Sequence, residues 1–166
     1  TMTAPAASSP TTAATPTATP ARTDPAQATP TPPGVVIGPI AESTVSADLG
    51  PLQTTLTFPP GAVAQPVVVV VAPAATPPAT GGFRVLGQVF TIEATTNDGS
   101  PVTHFAQPFT LVVTYTDAEV LDIDEQSLTL HYWHENEQRW VPIPTTVDAA
   151  NNRLTATLDH LTTFAV

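Results

Sequence analysis

Turn-forming residues cut the chain beyond residue 34 into short pieces. Gly38-Pro39, Pro59-Pro60-Gly61, a Pro/Ala/Gly-rich stretch over residues 72–82 and Asn97-Asp98-Gly99-Ser100 interrupt it. At each of these points a helix cannot continue and an extended segment must bend or reverse. The pieces between them are dominated by valine, threonine and aromatic residues, and helix formers are scarce. Two pieces alternate with the period of a half-buried strand: Leu52, Thr54, Leu56 and Phe58 share one face, as do Phe109, Leu111, Val113 and Tyr115. With no βαβ alternation, such segments bury their apolar faces only by packing sheet on sheet. The expected fold class is all-β, an antiparallel β-sandwich of about eight or nine strands.

Each remaining piece adds an expectation. Residues 35–40 read as a short strand interrupted by Gly38-Pro39, which suits an edge or a bulge. The five consecutive valines at 67–71 read as a strand buried on both faces or at a sheet centre. Residues 83–95 read as one long strand in which Gly87 marks a bulge. Residues 128–133 and 140–143 are expected to pair across 134–139, and 153–158 to pair with a last strand running from His160 to Val166. Over residues 117–125 a helical turn competes with an acidic loop.

Composition separates an appendage, residues 1–34, from the sandwich domain, residues 35–166. The first 33 residues carry eight of the twenty prolines, ten threonines and nine alanines, with Met2 as the one large apolar side chain. Such a stretch cannot bury enough surface to offset its ordering entropy, so a disordered or extended Pro/Thr/Ala-rich arm is expected. Similar compositions recur as cell-wall spacers and O-glycosylated stalks, which points to the extracellular space or the cell surface of a bacterium. Lysine is absent, and four arginines face fourteen acidic residues for a net charge of −10, which argues against nucleic acid and anionic membranes as partners. There is no cysteine, so disulfide and thiol chemistry are excluded. No stretch is apolar for long enough to span a bilayer, and Thr1 is expected to follow a removed export signal or a cloning boundary.

Few residues carry a chemical pattern. His104, His131, His134 and His160 are spread along the chain. The spacing of His131 and His134 puts them on opposite faces of a strand, which disfavours a metal site there despite Glu135 and Glu137 nearby. Asp117, Glu119, Asp122, Asp124 and Glu125 form a loose acidic run without the glycine and final glutamate of an EF-hand loop, so a solvated loop competes with a calcium site. No phosphate loop, nucleophile elbow or supported carboxylate pair is present. Neither a metal nor a cofactor is expected. One pattern remains, His160-Leu161-Thr162. The Thr162 hydroxyl follows the Leu161 carbonyl and can attack it in an N-to-O acyl shift, with His160 taking the proton. The resulting ester hydrolyses far more readily than an amide. The reaction also needs backbone strain and an oxyanion donor. The competing reading makes Leu161, Phe164 and Val166 core residues of a closing strand and His160 an exposed corner.

The run His160-Leu161-Thr162-Thr163-Phe164-Ala165-Val166 resembles the proteolysis-site motif of the autoproteolysis-inducing (GAIN) domains of adhesion receptors. Tyr132-Trp133, Trp140 and the stretch 153–158 resemble the strands that precede it there. The likeness covers about the last forty residues, and Ala156 and Leu158 stand where that family usually has cysteines. It implies His160 as general base, Leu161 as acyl donor and Thr162 as nucleophile. The run Thr55-Leu56-Thr57-Phe58-Pro59-Pro60-Gly61-Ala62-Val63 is similar to the opening of the related sandwich of ankyrins and netrin receptors, a module type also found on bacterial surfaces.

The expected function is a non-enzymatic structural module outside the cell, self-assembling into a homo-oligomer, filament or surface layer. Strand addition through the N-terminal arm, with residues 35–40 completing a neighbour's sheet, is the expected linkage. Self-cleavage at Leu161-Thr162 is the alternative, and a carbohydrate- or calcium-binding adhesion module, with a cell-envelope glycan as partner, is a second one.

Overall fold

A computed structural model describes Thr1, residues 33–75 and residues 77–166. The chain divides into two units, Thr1–Pro30 and Thr31–Val166. The expected extended arm lies outside the described residues, and the account that follows concerns the second unit.

That unit is a two-sheet β-sandwich, as the punctuated sequence requires. Among the described residues eleven strands run in the order β1 (Val35–Ile37), β2 (Ser43–Leu49), β3 (Leu52–Phe58), β4 (Val67–Pro73), β5 (Phe90–Thr96), β6 (His104–Thr114), β7 (His131–His134), β8 (Arg139–Pro142), β9 (Thr145–Asp148), β10 (Arg153–His160) and β11 (Thr163–Ala165). One sheet has the order β1-β4-β5-β11-β7-β8 and the other β2-β3-β6-β10-β9. All pairings are antiparallel. The count exceeds the expected eight or nine because β2 and β9 carry mostly threonine, serine and alanine. Their weak alternation hides them in the sequence.

The inner faces follow period-two burial. Leu52, Thr54, Leu56 and Phe58 of β3 and Phe109, Leu111 and Val113 of β6 are buried, as the alternation requires. Register then aligns them into rows across the five-stranded sheet, such as Val45, Leu56, Leu111 and Ala156. Thr54, 1% exposed, is the one buried polar side chain among the described residues, and its hydroxyl donates to the Ala47 carbonyl at 3.3 Å. The facing sheet contributes Ile37, Val67, Val69, Val71, Phe90, Ile92 and Phe164 to the same core. Phe58, Phe105 and Phe109 form an aromatic cluster inside it, with centroids 4.8 to 5.2 Å apart.

Three sequence expectations need correction. The valine strand is buried on one face only, because Val68 and Val70 point to the half-exposed outer face; β4 lies between β1 and β5, second from an edge. The long strand expected over 83–95 begins only at Phe90. Before it the chain is irregular, with Gly87 in the left-handed region (φ 65°). Leu86 leaves this stretch to enter the core and donates its N–H to the Val166 carbonyl at 2.8 Å. The final pair does not exist: β10 lies in the five-stranded sheet and β11 in the other. The chain crosses between sheets at Leu161-Thr162, so His160 ends β10 and does not open the last strand. By contrast, β7 and β8 pair as expected, Trp133 facing Trp140, and β1 is an edge strand. The 97–100 turn also forms, with Gly99 at φ 85°. Hydrogen bonds from Thr96 and Ser100 there hold the Asp98 carboxyl below its usual range. The acidic stretch contains one short helix, α1 (Asp117–Val120), and a 3-10 turn, Glu125–Ser127.

A Cβ added at Gly87 falls 2.8 Å from Leu52 Cγ, which is fully buried, and the positive φ strains any L side chain. Gly87→Ala is therefore expected to cost about 1–3 kcal/mol, measured by chemical denaturation.

Candidate functional site

The candidate cleavage pair lies where β10 passes over to β11. A bulge between Leu158 and His160 shifts the register, leaving Asp159 out of the ladder and setting His160 opposite His104 of β6. The two imidazoles lie 6.0 Å apart, and Tyr132 meets His160 edge-on at 4.9 Å. Asp159 accepts from His160 Nδ1 at 2.8 Å. That hydrogen bond holds the Asp159 carboxyl below its usual range. His160 is thus half-buried and oriented, not a free corner. Its neighbour His104 has no sequence signal, because only register brings residues 56 apart in the chain together.

Thr162 is engaged elsewhere. Its hydroxyl donates to the Trp133 carbonyl at 2.9 Å, and no hydrogen bond joins it to His160. The Leu161 N–H donates to the Thr103 carbonyl at 2.8 Å, and the Thr162 carbonyl accepts from Ile92 N–H at 3.2 Å. Among the described residues no hydrogen-bond donor reaches the Leu161 carbonyl, where an oxyanion would form, and neither residue has left-handed backbone. Leu161 and Thr162 do line an open cleft of about 490 Å³, with Glu93, Glu135 and Thr103 around it.

The other histidines and the acidic run are placed apart. His131 shares 3.1 Å between Nδ1 and the Thr129 carbonyl, while His134 Nδ1 accepts from the Glu137 N–H in the β7–β8 turn. Three carboxylates of the acidic run go to separate partners. Asp117 accepts from Asn152 Nδ2 at 2.5 Å, Asp124 from the Gln126 N–H at 3.1 Å, and Glu125 from the Tyr115 hydroxyl at 2.7 Å. Among the described residues no three His, Asp or Glu side chains converge on a common point suited to a metal ion. No helix among them is long and apolar enough to cross a membrane.

Comparison of the chain with protein-family models, with curated proteins and with solved structures returned no match.

Burial, then the Glu125 hydrogen bond and charge, push the Tyr115 phenol far above its ordinary range. Because the folded value exceeds the unfolded one, near 10, this contribution to stability is fully present below about pH 10 and is lost as pH rises through the folded value. Tyr115→Phe is expected to cost about 1 kcal/mol at neutral pH, and the gap to wild type should close in denaturation curves recorded above pH 10.

Proposed function

We propose that this chain is a non-catalytic structural module displayed outside a bacterial cell, able to assemble with copies of itself. One observation carries the non-catalytic part. The Thr162 hydroxyl is bound to the Trp133 carbonyl, and the segment it begins continues as an interior strand, with Phe164 and Ala165 fully buried. A nucleophile ready for acyl transfer has its proton directed at a base, whereas this one ties two strands of a sheet together.

The assembly part draws on β1. Among the described residues this three-residue strand has β4 on one side and no strand on the other. Val36 is 63% exposed and Ile40 89% exposed, so the edge presents apolar side chains without the charges that usually guard such an edge. Since β1 occupies its own sheet, strand addition would use its open side, or β1 would exchange onto β4 of a neighbour, a low-cost swap for so short a strand. The Pro/Thr/Ala composition of the first 33 residues fits a spacer ahead of such a unit.

Self-cleavage is the second reading, favoured by the Asp159–His160 pair, since a carboxylate that orients an imidazole is how a general base is commonly held. In that reaction the Thr162 oxygen bonds the Leu161 carbonyl carbon, its proton passes to His160 and on to the departing Thr162 nitrogen as the C–N bond breaks, and water then hydrolyses the resulting ester to release residues 162–166. Intact-mass spectrometry of the purified chain separates the readings. The structural reading expects the uncut mass, and a species lacking residues 162–166 would overturn it.

Assembly is checked by sedimentation velocity across a concentration series. The full chain should form species larger than a monomer, and Val36→Lys combined with Ile40→Lys should return it to a folded monomer. A wild-type monomer at every concentration refutes the assembly reading.

A further inference from the structure

The chain has ten aromatic residues of the Phe, Trp and Tyr types. Phe58, Phe90, Phe105, Phe109, Phe164 and Tyr115 are buried in the core, and Tyr132 packs against it. The remaining three, Phe83, Trp133 and Trp140, stand outside the core and come together on one face of the β7–β8 hairpin. Trp133 and Trp140 are direct cross-strand partners, and His131, two residues before Trp133, shares their face. The Trp rings meet at 64° with centroids 5.4 Å apart. Phe83 stacks on His131 at 4.6 Å and 11° and stands edge-on to Trp140 at 5.8 Å. All four rings are partly exposed. Because β8 is an edge strand, no further strand among the described residues covers them.

The rings line an open cleft of about 320 Å³, within the size range of small-molecule sites, about 300–1,000 Å³. Its second wall is the loop carrying Thr80 and Gly81, tethered by a 3.0 Å hydrogen bond from Trp140 Nε1 to the Ala79 carbonyl. Its rim is polar. Gln138 donates its amide N–H to the Glu135 carbonyl at 2.6 Å, which leaves the amide oxygen as an acceptor. The Arg139 Nε is paired with Glu137, which leaves the terminal guanidinium nitrogens as donors and cancels the local charge.

We propose that this cleft is a binding site for a neutral pyranose oligosaccharide. The apolar C–H face of a pyranose ring packs on an indole face, and its hydroxyls need paired donors and acceptors in one plane, which an amide and a guanidinium supply. Charge selects among sugars: a chain of net −10 with its nearest cation already paired repels uronic and sialic acids. A bare ring wall without hydrogen-bonding groups would suit a proline-rich peptide better, but the Thr80, Gln138 and Arg139 rim suits a polyol. The site is independent of whether copies assemble.

Both tryptophans of the chain are in this cleft, so selectively excited tryptophan fluorescence reports on the site. Cellohexaose and chitohexaose are the probes, with decaproline as the competing ligand class. At least one hexasaccharide should change the emission saturably, with a Kd of about 10 μM to 1 mM confirmed by calorimetry. Trp133→Ala should weaken it about tenfold or more by calorimetry, and Arg139→Ala, an exposed change that leaves the hairpin core intact, should weaken it severalfold. Phe109→Leu, a core change remote from the cleft, should leave it unaltered. No saturable response to either hexasaccharide, equal affinity in wild type and in both cleft variants, or binding of decaproline in their place overturns the proposal.

Discussion

The six-stranded sheet is held together by a strand of three residues. On one side β1, β4 and β5 form a continuous ladder, and on the other β7 and β8 form a hairpin; β11 joins them, Phe164 pairing with Phe90 on one flank and Tyr132 on the other. Phe164 is fully buried, and its ring lies 5.9 Å from that of Phe90. Without β11 the two halves would each expose an edge and the core would lose a wall. A short strand can hold this position because its contacts lie on both flanks and beneath, where an edge strand of equal length would have one neighbour.

That role shapes everything near the end of the chain. To deliver β11 to the far sheet, β10 must end and the backbone must cross the sandwich at Leu161-Thr162. The crossing is fastened at three points, the Leu161 N–H, the Thr162 carbonyl and the Thr162 hydroxyl. The bulge before it turns His160 toward His104 and Tyr132. The same residues that resemble a proteolysis motif are thus the ones a sheet crossing needs: a polar anchor, a buried leucine and a hydroxyl that can tie strands. In this chain Leu161 and Thr162 make the hydrogen bonds such a crossing needs. The β7–β8 hairpin, held on one side by β11 and with no other strand among the described residues beyond it, presents its tryptophans outward.

Much of the fold was legible before any coordinates. Leu52, Thr54, Leu56 and Phe58 announce their buried face because period-two burial is a local property of a pleated strand, and the turn at residues 97–100 follows from glycine's access to positive φ. The low-contrast strands β2 and β9 were not legible, since serine, threonine and alanine occupy either face without penalty. The run 83–95 misled for the opposite reason. Its apolar residues have strand spacing, yet Gly87 breaks the ladder and Leu86 is buried by a loop. Of the candidate site, His160 and Thr162 could be named from their spacing, whereas the partners that define their state, Asp159 apart, come from distant strands.

By itself, then, the amino-acid sequence determined that this chain makes strands, where most of them turn, which side chains of β3 and β6 face inward and that the unit is a sandwich. These follow from interactions within a few residues: φ preferences, side-chain alternation and apolar pattern. Tertiary structure alone decided that the last two strands enter different sheets, that Thr162 is held by Trp133 and not by His160, and that Phe83 joins two tryptophans on an outer face. Those outcomes depend on register and strand order, which are set by the packing of residues far apart in the chain and leave no local mark.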